Sequence, residues 1–244
     1  MKQVSSLLLT LAALLIAAGI SAGGHFVGSG LAKARLADRY VTVKGLAERE
    51  VMADLVIWPL SFNVVANNLA ELQAGIDAGT TSIRRYLREQ GFEAAEITNG
   101  VPLIEDFHAR GYGGDNLPPN RYAAQMTVIL RSRQTGQARA SMQKVDALVK
   151  QGIALIRNYE MNTEFLFTDL NAIKPDMIAE ATGNARRAAG QFAEDSGSEV
   201  GAIRKASQGF FSISDLDRNA PHIKTVRVVT TVEYFLENRA GRPD

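Results

Sequence analysis

The chain has 244 residues, 46% of them hydrophobic and 22% charged, which is enough apolar material for one sizeable folded body or two small ones and excludes a disordered protein. Its 27 Lys and Arg oppose 26 Asp and Glu, so the net charge of +1 supplies no field to gather nucleic acid or another polyanion. Cys is absent, which removes disulfides, thiolate metal sites and cysteine nucleophiles together.

After Lys2 no residue through Gly30 carries a formal charge unless His25 is protonated. The apolar run over residues 4–27 exceeds the roughly 20 residues that a helix needs to cross a bilayer, and predicts an uncleaved signal-anchor, a transmembrane helix over residues 1–30. A cleaved signal peptide is the alternative, with Gly19 and Ser21 supplying its small-residue site. Gly19, Gly23, Gly24 and Gly28 create small-xxx-small spacings at which membrane helices approach closely. Lys2 lies on one side of the segment and Lys33, Arg35 and Arg39 on the other, so the positive-inside rule leaves the orientation open. The short N-terminal flank favours an inside N-terminus with the body exported. LAKARLADR, residues 31–39, reads as a stalk.

The body begins with residues 41–51 and 55–64, a predicted hairpin bending at Met52, Ala53 and Asp54. In the second run Val56, Trp58, Leu60, Phe62 and Val64 share one face, with Ser61 and Asn63 on the other. Pro59 has no N–H to donate to a ladder, which predicts an edge strand or a bulge there. From Asn68 the spacing changes to Leu69, Leu72, Ile76, Ile83 and Leu87, one stripe of a helix that Asn68 with Glu71 starts and Gly91 stops. Two strands follow, AEITNGVPLIED and RYAAQMTVILRS, separated by FHARGYGGDNLPPN. QARASMQKVDALVKQG predicts a second helix with Ala138, Met142, Val145 and Val149 on one face. Strands return at 154–157 and 163–169. A third helix starts near Pro175, a residue suited to a first turn, turns Ile178, Ala181, Ala185, Ala188 and Phe192 inward, and ends near Gly197. Two last strands, 199–213 and 225–236, precede a polar tail at 238–244.

This order repeats a plan. LREQGFEAAEI before the strand at 122–130 matches FAEDSGSEVGAI before the strand at 226–236: helix, glycine stop, acidic residue, strand, excursion, strand. The expected fold is α+β, a mainly antiparallel sheet with helices packed on one face, built from two related αββ units behind the transmembrane helix.

Signals of chemistry are sparse. His25, His108 and His222 are far apart, with no spacing that converges metal donors, so neither a metal nor a cofactor is expected. Nucleophile-elbow and phosphate-loop patterns are missing. Glu105 and Asp106 beside His108 form the nearest acid/base group, and such carboxylates at a strand end are usually solvated. The expectation is therefore a protein that is not an enzyme. In the loop, Gly111, Gly113 and Gly114 free the backbone and Pro118 and Pro119 stiffen its return. Arg110, Tyr112, Arg121 and Tyr122 there are residue types enriched at protein contacts.

The passages VTVKGLAEREVMADLVIWPLSFNV, NARRAAGQFAEDSGSEVGAI and VRVVTTVEYFLE resemble the SIMPL-domain family of bacterial exported proteins, over residues 40–237. The resemblance implies an α+β periplasmic or surface domain that assembles with itself into rings or cages and is linked to envelope and oxidative-stress physiology. The expectation is then a single-pass protein of the bacterial inner membrane, its body in the periplasm and its partners further copies of itself. Trp58, Pro59, Arg110, Tyr112, Arg121 and Tyr122 are the expected contacts, at an exposed strand edge and a loop. A competing expectation is a periplasmic small-molecule or peptide-binding domain with unrecognised hydrolase activity.

Overall fold

The computed structural model describes residues 2–37, 39–109, 118–158 and 161–238. In chain order the elements are α1 (Lys2–Ala37), β1 (Tyr40–Met52), β2 (Leu55–Ala66), α2 (Leu69–Glu89), β3 (Ile97–Asn99), β4 (Leu103–Asp106), β5 (Tyr122–Ser132), α3 (Thr135–Met142), α4 (Asp146–Lys150), β6 (Leu155–Ile156), β7 (Glu164–Leu166), α5 (Leu170–Asp195), β8 (Ser198–Gln208), β9 (Ser212–Asp215) and β10 (Ile223–Asn238). The αββ plan is present twice: α2 leads to β3 and β4, both paired with β5, and α5 leads to β8 and β9, both paired with β10.

Within α1 the stretch Leu14–Leu31 is long and apolar enough to cross a membrane. The helix runs on without a break through most of the expected stalk, to Ala37. The chain divides into two compact units, one comprising Met1–Ala47, Pro175–Phe211 and Arg227–Asp244 and the other Glu48–Lys174 and Ser212–Val226.

The second unit is built on a six-stranded sheet in the order β3-β5-β2-β6, with β4 also on β5 and β7 also on β2. Strands β2 and β5 pair antiparallel over their whole length, setting Trp58 opposite Leu130, Leu60 opposite Val128 and Phe62 opposite Met126. These alternate side chains make one apolar face. Helix α2 covers it with Leu72, Ile76, Ile83, Tyr86 and Leu87. The Asn68 side chain accepts the Glu71 N–H at 2.9 Å at the start of α2, and Gly91, at φ +93°, ends it in a backbone region that other residues rarely adopt.

Two expectations about β2 are corrected here. The strand is internal, not an edge, because β7 pairs with its residues 55–57 and β6 with Ser61 and Phe62 on the side away from β5. Pro59 falls in the gap between those two short strands, where no bond is asked of the side they leave open. Nor do β1 and β2 form a hairpin, since they belong to different sheets. A two-residue hairpin turn needs positive φ, and no non-glycine residue has it among the described residues. Instead the Ala53 N–H donates to His222 C=O and the Asp54 N–H to Leu166 C=O, each at 2.9 Å.

The predicted second helix is broken into α3 and α4, and Leu148, not Val149, carries its buried face into the core. The third helix begins at Leu170, upstream of Pro175. The Asp54 carboxylate accepts the N–H groups of Thr168 and Asp169 at 2.8–2.9 Å, fixing the two residues that lead into this start.

The first unit contains a sheet in the order β1-β10-β8. Its core holds Val43, Ala185, Ala189, Val232 and Tyr234. The buried residues of α5 are Met177, Ala181, Ala185, Ala189 and Ala193, a strict four-residue ridge; of the expected stripe Ala181 and Ala185 lie on it, Ala188 packs half-buried against the same core, and Phe192 is 58% exposed. Gly45 accounts for the choice of alanine. A Cβ there would collide with the Ala181 carbonyl oxygen and stand 2.5 Å from the Ala185 nitrogen. Helix backbone lies directly on strand backbone, leaving room only for methyl groups.

Candidate functional site

The stem of the long loop is the most heavily bonded polar group at a predicted contact. Strand β4 sets Asp106 opposite Tyr122. The Asp106 carboxylate accepts from Arg121 Nη2 at 2.9 Å, from Arg121 Nε at 3.2 Å and from the His108 N–H at 3.0 Å. These bonds, led by that from Arg121, hold the Asp106 carboxyl below its ordinary range. The Phe107 N–H donates to Arg121 C=O, the Arg121 N–H to Asn67 Oδ1, and the Arg121 guanidinium stacks 4.9 Å over the Tyr122 ring. Asp106 thus serves as the fixed partner of a cation that closes the loop stem. Arg110 and Tyr112 lie outside the described residues.

Trp58 and Pro59 are not near this stem. Tyr122 pairs with Ala66, eight residues along β2 from Trp58, about 26 Å at strand rise. Trp58 is 6% exposed in the core, so its ring presents no contact surface, and the expectation that placed it at an interface is corrected by its burial.

Gly19, Gly23, Gly24 and Gly28 lie on exposed α1, and a Cβ on any of them would meet nothing within 4 Å. Gly19 and Gly23 form one pair a turn apart, Gly24 and Gly28 another. Five residues separate the pairs, which at 100° per residue sets them about 140° apart around the helix.

Among the described residues no group of three or more His, Asp or Glu is arranged to hold a metal. His222 packs edge-on to Phe165 at 6.2 Å between ring centres. Burial, then the nearby Arg139 charge, lower its pKa, with Asp217 opposing them. Its carbonyl holds the Ala53 N–H.

Two surfaces were missed by sequence reasoning. One is an open depression of about 470 Å³ on the sheet face away from α2, lined by Val101, Leu103, Gln125, Thr127, Arg157 and Met161 among others. Beneath it Ser61 Oγ and Thr127 Oγ1 share a buried hydrogen bond of 2.7 Å. Val101 is 92% exposed and Leu103 65%.

The other is the outer strand of the first unit. The second unit ends its sheet in strands of two to four residues, β3, β4, β6 and β7, which is how natural sheets blunt their edges. In the first unit β8 is an 11-residue outer strand. Two bulges opposite Glu233–Leu236 disturb its first half, and Lys205–Gln208 pairs regularly with Thr230–Glu233. Every residue from Ala202 to Phe210 is exposed, and the Phe210 ring is fully so. The Gly209 N–H donates to Val229 C=O at 2.9 Å, at a position where a Cβ would stand 2.8 Å from that same oxygen. The sequence carried a sign of this in QGFF, where two adjacent aromatic residues cannot both face one core.

Residues 41–234 match the family described as SIMPL, a protein of unknown function (DUF541). No curated protein matches the chain.

Proposed function

The chain belongs to the SIMPL family, and from that premise we propose that it is a non-enzymatic, membrane-anchored scaffold of the bacterial envelope, its body in the periplasm, which assembles with copies of itself into a ring or cage. The observation that carries this reading is the outer strand β8 with the fully exposed Phe210 at its end. Unpaired strand edges add strands from neighbours, and an exposed aromatic side chain is the residue type that anchors interfaces. The contact expected at β2 is thereby moved to β8. A second copy is the favoured partner because anchors held in one bilayer raise the effective concentration of the bodies. The two glycine pairs of α1, on faces about 140° apart, would let each anchor meet two neighbours. Burying the Phe210 ring contributes about 2–3 kcal/mol per contact, which repeated around an assembly favours a discrete closed form.

The depression over Thr127 favours a second reading, a small-molecule or peptide-binding domain, because its volume of about 470 Å³ falls within the range of ligand sites. A ligand bound there stabilises the body and raises its Tm with the logarithm of ligand concentration above Kd. The scaffold is tested by the mass of the full-length protein beside its Phe210→Glu variant: loss of a discrete oligomer in the variant supports β8, and equal masses remove β8 from the account.

A further inference from the structure

Four chain ends of the first unit converge where α1 enters it. The Arg39 C=O accepts the Leu236 N–H at 2.9 Å. The Arg39 guanidinium donates to Asn238 Oδ1 at 3.1 Å and to Ser198 Oγ at 3.0 Å. β1 therefore starts beside the end of β10 and the start of β8, and α5 finishes three residues before Ser198, at Asp195. This is the anchor-proximal end of the unit.

Its height above a bilayer is bounded by the chain. From Leu31, the end of the apolar stretch, to Ala37, the end of α1, six residues of helix rise about 9 Å. Two further residues to Arg39 add at most about 7 Å. The headgroup layer on each side of the hydrocarbon is roughly 5–8 Å deep, so the end of the unit is held within reach of it. At that end Phe192, in the last turn of α5, is 58% exposed, and Tyr40, which opens β1, is 45% exposed beneath the Arg204 guanidinium at 4.1 Å. The α5 ridge turns alanines to the sheet and leaves Phe192 outside it.

We propose that the anchor-proximal end of the first unit rests on the membrane, with Phe192 and Tyr40 entering the boundary between headgroups and acyl chains. The occupant of this surface is lipid, since the helix that enters at this end is the one able to cross a bilayer, and aromatic side chains gather at that depth. Glu194, Asp195, Glu199 and Glu237 stand at the same end, and so do Arg39 and, over Tyr40, Arg204, so charge of one sign does not dominate and the contact is apolar and aromatic. The inference rests on α1 being retained as the anchor.

The test uses the full-length chain with Trp58→Phe, so that a single tryptophan introduced as Phe192→Trp or Tyr40→Trp reports on its own surroundings. Each variant is reconstituted in phosphatidylcholine vesicles with and without bromine on the acyl chains, and Phe210→Trp serves as the distant control. Flotation with the vesicles, with emission at position 192 or 40 lower in the brominated than in the unbrominated vesicles and that at 210 the same in both, is the expected result. Flotation without quenching at 192 and 40, including a blue shift that bromine leaves intact because protein covers the ring, overturns the proposal. Failure to float overturns the anchor itself, and the proposal with it.

Discussion

Replacing Gly45 with Ala tests the packing of the first unit at its tightest point. The added methyl meets the carbonyl oxygen of Ala181 and, at 2.5 Å, the nitrogen of Ala185, both backbone atoms inside a 26-residue helix that no rotamer change can move. Relief requires α5 to lift from β1, loosening the contacts of Ala185 and Ala189 with Val43, Val232 and Tyr234. Overpacking of this kind sits at the upper end of its usual range, about 3 kcal/mol. For a body of this size that corresponds to a fall of roughly 6–12 °C in Tm. Gly183→Ala is the matched control, because a Cβ there meets nothing within 4 Å and Ala in a helix interior gains about 0.5–1 kcal/mol over Gly. Thermal and urea unfolding of the body beginning at Arg39 reads both. A Gly45→Ala variant within about 1 kcal/mol of the parent would refute the direct backbone contact.

Tyr86→Phe removes the bond of 2.5 Å from the buried hydroxyl to Ser141 C=O and should cost about 1–2 kcal/mol in urea unfolding. Arg121→Ala should raise the Asp106 titration toward the ordinary carboxylate range, followed by NMR of its carboxyl carbon, with the His108 N–H still holding part of the shift. Because the folded Asp106 titrates below its ordinary value, its contribution to stability is complete above the ordinary range and is lost as pH falls through the lowered value. In the variant this acid-dependent loss should be smaller. Phe210→Glu, at a fully exposed ring, should leave unfolding unchanged within about 0.5 kcal/mol while reducing the mass of the assembly, since the side chain touches no core.

Local signals translated well. Asn68 with Glu71 marked the start of α2, Gly91 its stop, and the alternation through Val56, Leu60 and Phe62 the core face of β2, because caps and pleats depend on neighbours in sequence. Decisions between distant segments did not. Pro59 signals a missing N–H, but only the separate arrival of β6 and β7 shows that an interior strand can leave a gap for it. Helical spacing alone admits Ile178 and Phe192 to the inner face of α5. The close approach of Gly45 selects Ala181, Ala185 and Ala189 instead. The glycines of α1 were visible as spacings, and their placement on two faces follows from helix geometry. The β8 edge was hidden because its exposure depends on which strand ends the sheet, a property of topology that no single run of residues encodes.

The central claim is self-assembly at the membrane, and the most direct measurement is the mass of the full-length protein extracted in mild detergent, by light scattering or native mass spectrometry at micromolar concentration. The account predicts one discrete species at a whole multiple of the 26.4 kDa chain. A chain of 26.4 kDa at every concentration, with the protein folded, would contradict it.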